Sequence, residues 1–201
     1  MDIRELTFAD QTLYKSFFTK GLEAHADCFR ITPADEQKEP FPTQGSRDSF
    51  TLGAFSETDE LLGVVSFERE GAKRQRLKHK GLLFRMYVAA EHGGKGVGKK
   101  LIEELLQRVK TQTDIEQINL TVVSMNHGAK NLYKKFGFQS FSVEINALKT
   151  NGTYYNEETM VLFLREPSSL VEQLRNALKN LFWFIFQSTK NPKPPDRKSV
   201  V

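Results

Sequence analysis

The run Gly93-Gly94-Lys95-Gly96-Val97-Gly98-Lys99-Lys100 combines four glycines with three lysines between an apolar stretch ending at Met86-Tyr87-Val88 and a helical pattern starting near Leu101. Residues without Cβ atoms can turn their backbone N–H groups inward around an anion, and the positive end of a following helix adds to the same attraction. The chemistry this spacing suits is therefore the binding of a phosphate group, with a diphosphate as the natural size.

The same residues satisfy the pattern G-x-x-x-x-G-K-[ST] from Gly93 through Lys99. Lys100 then stands where a Ser or Thr hydroxyl should coordinate Mg²⁺, and the next strand offers no acidic metal partner. A nucleoside triphosphatase loop is thus disfavoured.

A second motif lies downstream, in Asn126-His127-Gly128-Ala129-Lys130-Asn131-Leu132-Tyr133-Lys134-Lys135-Phe136-Gly137-Phe138. Strand, glycine turn, helix, strand and then N-x-x-A-x-x-L-Y-x-x-x-G-F together resemble the GNAT superfamily of acyl-CoA-dependent N-acetyltransferases. The resemblance runs over about 2–164 and is strongest over 82–138. The family's phosphate loop, [RQ]-x-x-G-x-[GA], falls on Gly93 to Gly98, with Gly93 replacing the usual Arg or Gln. One side-chain contact is lost there, while the backbone amides remain.

The resemblance implies acetyl-CoA as co-substrate, no metal, and direct transfer of the acetyl group to a primary amine in a ternary complex. It assigns cofactor contacts to Tyr87, Val88, Gly93, Gly94, Lys95, Gly96, Val97, Gly98, Lys99, Asn126, Ala129 and Tyr133, with the sheet splaying beyond Met86-Tyr87-Val88 and an N–H near Val88 polarising the thioester carbonyl. It also places Tyr133 as the catalytic proton donor, a role that suits a phenol, whose ordinary pKa is about 10. Asn126 can donate and accept at once, and as the residue before a helix it is also a natural N-cap.

An amine must lose its proton before it can attack. Glu68, His79, Glu91 and His127 are the titratable candidates for the general base, and Glu68 is preferred because its strand should neighbour the one ending at Val88. Phe29, Phe84, Tyr87, Tyr154 and Tyr155 are candidates for the acceptor pocket's walls, of which no more than two are expected there. The acceptor is a small-molecule or peptide amine. An acidic pocket would favour a polycation, and an open-ended cleft a peptide. A non-catalytic acyl-CoA-binding module is the alternative, because the cofactor motif is readable and the base is not.

These residues need a scaffold, and 201 residues with 39% hydrophobic and 27% charged suffice for one ordinary core. A single cysteine, Cys28, allows no internal disulfide, and with four scattered histidines gives no metal-ligand spacing. The net charge of +4 is mild and does not call for nucleic acid. Lys95, Lys99, Lys100, Lys130, Lys134 and Lys135 are candidates to flank the phosphates, and about half are expected on solvated helix faces. The opening residues contain no apolar core of signal-peptide length, so a cytoplasmic protein is expected.

Period-two patterning predicts strands over 2–7, 50–55, 61–69, 80–88, 115–123, 139–149 and 154–164, with hairpins at Ser56 to Glu60 and Asn151-Gly152. Helices are expected over 12–26, with Leu13, Phe17 and Leu22 inward, over 99–111 and over 128–136. Pro33, Pro40 and Pro42 mark loops. The sum is an α/β fold with a GNAT-like mixed, mostly antiparallel sheet flanked by helices, a domain over 1–166. Beyond it, 168–187 reads as an amphipathic helix within a 167–190 segment, with Leu170, Leu174, Leu178 and Leu181 on one stripe. That helix is expected to dock on its own domain, pair in a homodimer, or make peripheral membrane contact; 191–201 is expected to be disordered.

Overall fold

A computed structural model of the protein describes residues 1–165, and the expected helix over 167–190 and ending over 191–201 lie outside the described residues. Seven strands, β1 (Asp2–Leu6), β2 (Ser49–Phe55), β3 (Leu61–Arg69), β4 (Lys80–Val88), β5 (Gln117–Val123), β6 (Gln139–Thr150) and β7 (Thr153–Phe163), form one sheet. Its order is β1-β2-β3-β4-β5-β7-β6, and every neighbouring pair is antiparallel except β4 with β5. Four helices accompany it: α1 (Gln11–Ala24), α2 (Pro33–Lys38), α3 (Val97–Lys110) and α4 (His127–Lys135). The expected mixed α/β sheet is present.

Central strands β2 and β3 are buried along nearly their whole length, as expected of strands covered on both faces. α3 turns Val97, Leu101, Ile102, Leu105, Leu106 and Val109 onto one stripe, which packs into a core shared with β2, β3, β5 and Tyr133 of α4. A second core joins α1 to β1 and β3 through Leu6, Tyr14, Phe18, Leu22 and Val64. Asn151 and Gly152, both left-handed, close the β6–β7 hairpin in two residues, as an Asn-Gly turn should.

Two expectations about the helical regions need correction. α1 buries Tyr14, Phe18, Gly21 and Leu22, whereas Leu13 is exposed. The inward face is rotated by one residue because Tyr14 and Phe18, four apart, stack at 5.6 Å between ring centroids and fill space that the smaller Leu13 could not. The region after Pro33 is a helical turn as well as loop. Thr32 accepts from the Asp35 N–H while Asp35 accepts from the Thr32 N–H, a capping box with Pro33 in the first turn.

The decisive feature is a fork between β4 and β5. They pair only at Lys80↔Gln117, Gly81↔Ile118 and Leu82↔Asn119. From Leu83 onward β4 keeps β3 alone, so the sheet opens earlier than the expected point at Met86 to Val88. Within the opening, Val64 pairs with Tyr87 and Ser66 with Phe84, leaving Arg85 and Met86 opposite Val65. This is a bulge, and Arg85 occupies it in a left-handed conformation at φ 49°. Among the described residues, no helix is long and apolar enough to cross a membrane.

The three-residue ladder at the base of the fork requires glycine at its centre. A Cβ on Gly81 would lie 2.3 Å from the Phe67 ring, which is fully buried and packed on Phe50. Gly81→Ala should therefore destabilise the fold by about 1–3 kcal/mol through overpacking, measured as a lower urea midpoint; an unchanged midpoint would show that the fork tolerates a wider ladder.

Candidate functional site

The glycine loop forms a cradle. Gly94 and Gly96 are left-handed at φ 72° and 85°, and a Cβ built on either meets nothing within 4 Å. Gly96 is the N-cap of α3 and supplies no side-chain cap, so the first N–H groups of a 14-residue helix are left for another acceptor. They border an opening of 610 Å³ that is also lined by Lys99 and Lys135. Gly98 serves a different purpose: its Cβ would stand 3.0 Å from Leu132 and 3.1 Å from Met86, so α3, α4 and β4 converge here only because a side chain is missing. Lys130, among the candidate phosphate lysines, is instead committed to Glu158 and to the Ser124 carbonyl. These features fit an acidic diphosphate without the Arg or Gln that Gly93 replaces.

Val88, Gly128 and Leu132 line this opening and also a second cavity of 300 Å³. That cavity in turn shares Met86, Asn126, Ala129 and Tyr133 with a third, of 280 Å³, which enters the fork between β4 and β5. Cradle, middle cavity and fork thus adjoin in one row, each sharing wall residues with the next. Tyr87 borders the middle of it, with its ring packed against Phe17 and Phe29 at 5.2 and 6.3 Å.

The backbone at the middle of the groove is open on one side. Ala89 donates its N–H to Leu62 on β3, so the Val88 N–H, by the alternation of an antiparallel ladder, points to the opposite edge and into the fork. Tyr133 is 6% exposed and lines both deep cavities. Burial raises its phenol pKa well above the ordinary tyrosine value, which keeps the proton on Oη. Asn126 caps α4 by accepting the Ala129 N–H at 3.0 Å, which leaves its amide N–H₂ free to face the groove.

The structure separates the candidate bases. Glu68 sits directly across from Leu82, a residue of the deep cavity wall, and shares its sheet face, but does not itself line the cavity. Its carboxyl pKa is raised, first by burial and then by Glu70. Glu91 borders a separate depression on the α1 side of Tyr87. His79 and His127 line neither deep cavity. Of the five candidate wall aromatics, Phe29 and Phe84 line the cavity in the fork and Tyr87 the middle one, while Tyr154 and Tyr155 lie on β7 outside both.

Four charged residues that the sequence did not single out surround the inner end. Arg30, in the α1–α2 loop, grips the buried Glu157 of β7, with Nε 2.8 Å and Nη2 2.7 Å from Oε2. Arg85 of the bulge places Nη1 2.7 Å from Oε2 of Glu36, which is wholly buried on α2. Only the Thr32-Pro33-Ala34-Asp35 capping signature could have drawn attention to α2, and nothing local marks Glu157 as buried.

The family model described as acetyltransferase (GNAT) family matches residues 14–138. A spermine/spermidine N(1)-acetyltransferase of Bacillus subtilis (strain 168) is 35% identical over 57 residues, covering 28% of this chain and 38% of that protein, well under half of its length. Among solved structures, the GNAT-family acetyltransferase from Streptococcus pneumoniae aligns with a TM-score of 0.67 at 23% identity, over 81% of this chain and 99% of that one. A GCN5-related N-acetyltransferase from Kribbella flavida gives 0.68 at 22% identity, over 81% and 97%. With a glycine cradle, a forked sheet and a family match over most of the described domain, this chain belongs to the acetyltransferase (GNAT) family.

Proposed function

We propose that the protein transfers an acetyl group from acetyl-CoA directly to a primary amine, both substrates being bound at once. The observation that carries this reading is the row of adjoining cavities that leads from an anion cradle at Gly94 and Gly96 past a free N–H at Val88 to the Tyr133 side chain. Acetyl-CoA supplies the acyl group activated as a thioester. The cradle and Lys99 bind its diphosphate, and the unpaired edge of β4 pairs with its amide-bearing arm in the manner of an added strand.

Each chemical role then falls to a named group. The Val88 N–H donates to the carbonyl oxygen as negative charge develops there, in a site closed to water on the Tyr133 side. Glu68, which stands back from the cavity wall, removes a proton from the acceptor's ammonium through intervening water. The amine nitrogen then forms the new C–N bond as the C–S bond breaks, and Tyr133 passes its Oη proton to the departing sulfur. Once bonded to carbon, the nitrogen sheds its second proton, which re-protonates the Tyr133 phenolate, while Glu68 releases the first to solvent, so the balance closes with an amide, a free thiol and one proton.

Gly96→Asp places a carboxylate at the cradle, at a position where its Cβ meets no protein atom within 4 Å but its left-handed φ of 85° strains a side chain. Acetyl-CoA binding, followed by calorimetry, should be lost while stability, read from urea unfolding, falls by no more than the cost of a left-handed residue, about 1–2 kcal/mol; retained affinity would move the diphosphate elsewhere. Tyr133→Phe should lower kcat by about 10²–10⁴ with acetyl-CoA affinity unchanged. A rate equal to the parent's would remove Tyr133 from the chemistry.

Glu68 gives a pH signature. Its raised pKa means that the base form appears only above the ordinary glutamate range, so kcat/KM should climb with pH through that raised value. In Glu68→Gln the rate should be lower and that acid limb absent. An unchanged acid limb would assign it to another group.

A further inference from the structure

The acceptor end of the groove is not acidic. Its wall carries two arginines, Arg30 and Arg85, and one carboxylate, Glu157. That carboxylate is already held through two N–H groups of Arg30, at 2.8 and 2.7 Å, with its side chain 3% exposed. A polycation entering here would find no free carboxylate to neutralise it and would have to displace Arg30 first.

Arg85 stands differently. It sits at φ 49° in the bulge of β4, a conformation a long side chain seldom adopts, lines the cavity, and its Nη1 reaches Oε2 of Glu36 at 2.7 Å. Neither oxygen of Glu36, nor Nη1 of Arg85, nor the Tyr14 hydroxyl has a well-aligned hydrogen bond, although all are buried. The Glu36 ion pair therefore anchors one nitrogen of Arg85 inside the protein while the side chain as a whole stays 14% exposed. The guanidinium has five N–H donors and Glu36 accounts for one nitrogen, so the fork retains donors for an anion.

The rest of the wall is apolar. Phe18, Phe29, Ile31, Leu82, Phe84 and Met86 surround a volume of 280 Å³, which suits one compact molecule with a hydrophobic body.

Resting on the acetyltransferase reading above, we infer that the acceptor is a primary amine that also carries a carboxylate and an apolar body, as an α-amino acid with a large apolar side chain does, and that Arg85, held by Glu36, binds the carboxylate. Arg30 and Glu157 form the opposite wall, where their mutual pairing leaves the amine neutral surroundings in which to lose its proton.

The test uses the full chain with acetyl-CoA and follows thiol release with four acceptors: L-phenylalanine, L-phenylalanine amide, phenethylamine and spermidine. L-Phenylalanine should have the highest kcat/KM, exceeding the amide and phenethylamine on the order of tenfold to a hundredfold, the difference expected for a charge-assisted hydrogen bond. Because Arg85→Gln alone strands a buried carboxylate and is at risk of unfolding, the paired variant Arg85→Gln with Glu36→Gln is measured beside it. It should bind acetyl-CoA like the parent yet treat L-phenylalanine and its amide alike.

Equal rates for acid and amide in the parent, a preference for spermidine, or acetyl-CoA binding with no turnover of any of the four would each overturn the inference while leaving the cofactor assignment standing. Retained discrimination in the paired variant would overturn the role of Arg85. Failure to bind acetyl-CoA at all would instead sink the acetyltransferase reading on which the inference rests.

Discussion

β4 and β5 share three ladder positions and then part. Everything functional in this molecule follows from that short ladder. A parallel pair that continued to Val88 would satisfy the outer backbone groups of β4 and leave no room between the strands. Because it stops at Leu82, the edge of β4 from Leu83 on has donors and acceptors without a strand partner, in the middle of a sheet where such groups are costly to leave unpaired. An extended amide-bearing ligand is the complement of that edge. The fork is held open from both sides: Gly98 lets α3 and α4 close over its outer half through Leu132 and Met86, and the bulge at Arg85 turns β4 away from β5 at its inner half.

The electrostatics divide along the same groove. At the cradle, attraction comes from backbone N–H groups and the end of α3, with Lys135 as a nearby cation and Lys99 3.5 Å from Glu103 of the same wall, while Lys130 is paired with Glu158. At the far end, two Arg–Glu pairs each balance their own charge. Glu36 and Glu157 are both fully or almost fully buried, and such carboxylates are costly unless compensated, so each arginine is required as much for folding as for any ligand. The α1–α2 loop supplies Arg30 and α2 supplies Glu36. The inner end of the groove thus draws on β4 and on segments from the two ends of the described chain, while the glycine cradle lies among β4, α3 and α4.

What the sequence disclosed was local. The glycine cradle needs particular backbone angles within a few residues, and Gly94 and Gly96 announce those angles directly. The stripe of α3, the Asn151-Gly152 turn and the Asn126 cap are local in the same sense. The inward face of α1 is offset by one residue from its expected position because the choice between Leu13 with Phe17 and Tyr14 with Phe18 is made by the distant Phe41 and Val64, not by the helix itself. Glu157 leaves no trace in the sequence: it lies in a polar run on β7, and its burial follows from pairing with β5 on one side and β6 on the other, together with an arginine 127 positions away. Glu68, by contrast, lies on the expected strand beside β4, yet a one-strand offset separates it from the cavity wall, a distance that no pattern of alternation encodes.

The central claim is that the groove beginning at Gly94 and Gly96 is a site for acetyl-CoA. Calorimetric titration of the purified protein with acetyl-CoA, with ATP and Mg²⁺ as the control ligand, addresses it most directly. Saturable binding of acetyl-CoA at one site, with no heat from ATP, is the predicted result. Binding of ATP in the absence of any for acetyl-CoA would contradict the claim and return the glycine loop to the nucleotide-binding pattern that Lys100 interrupts.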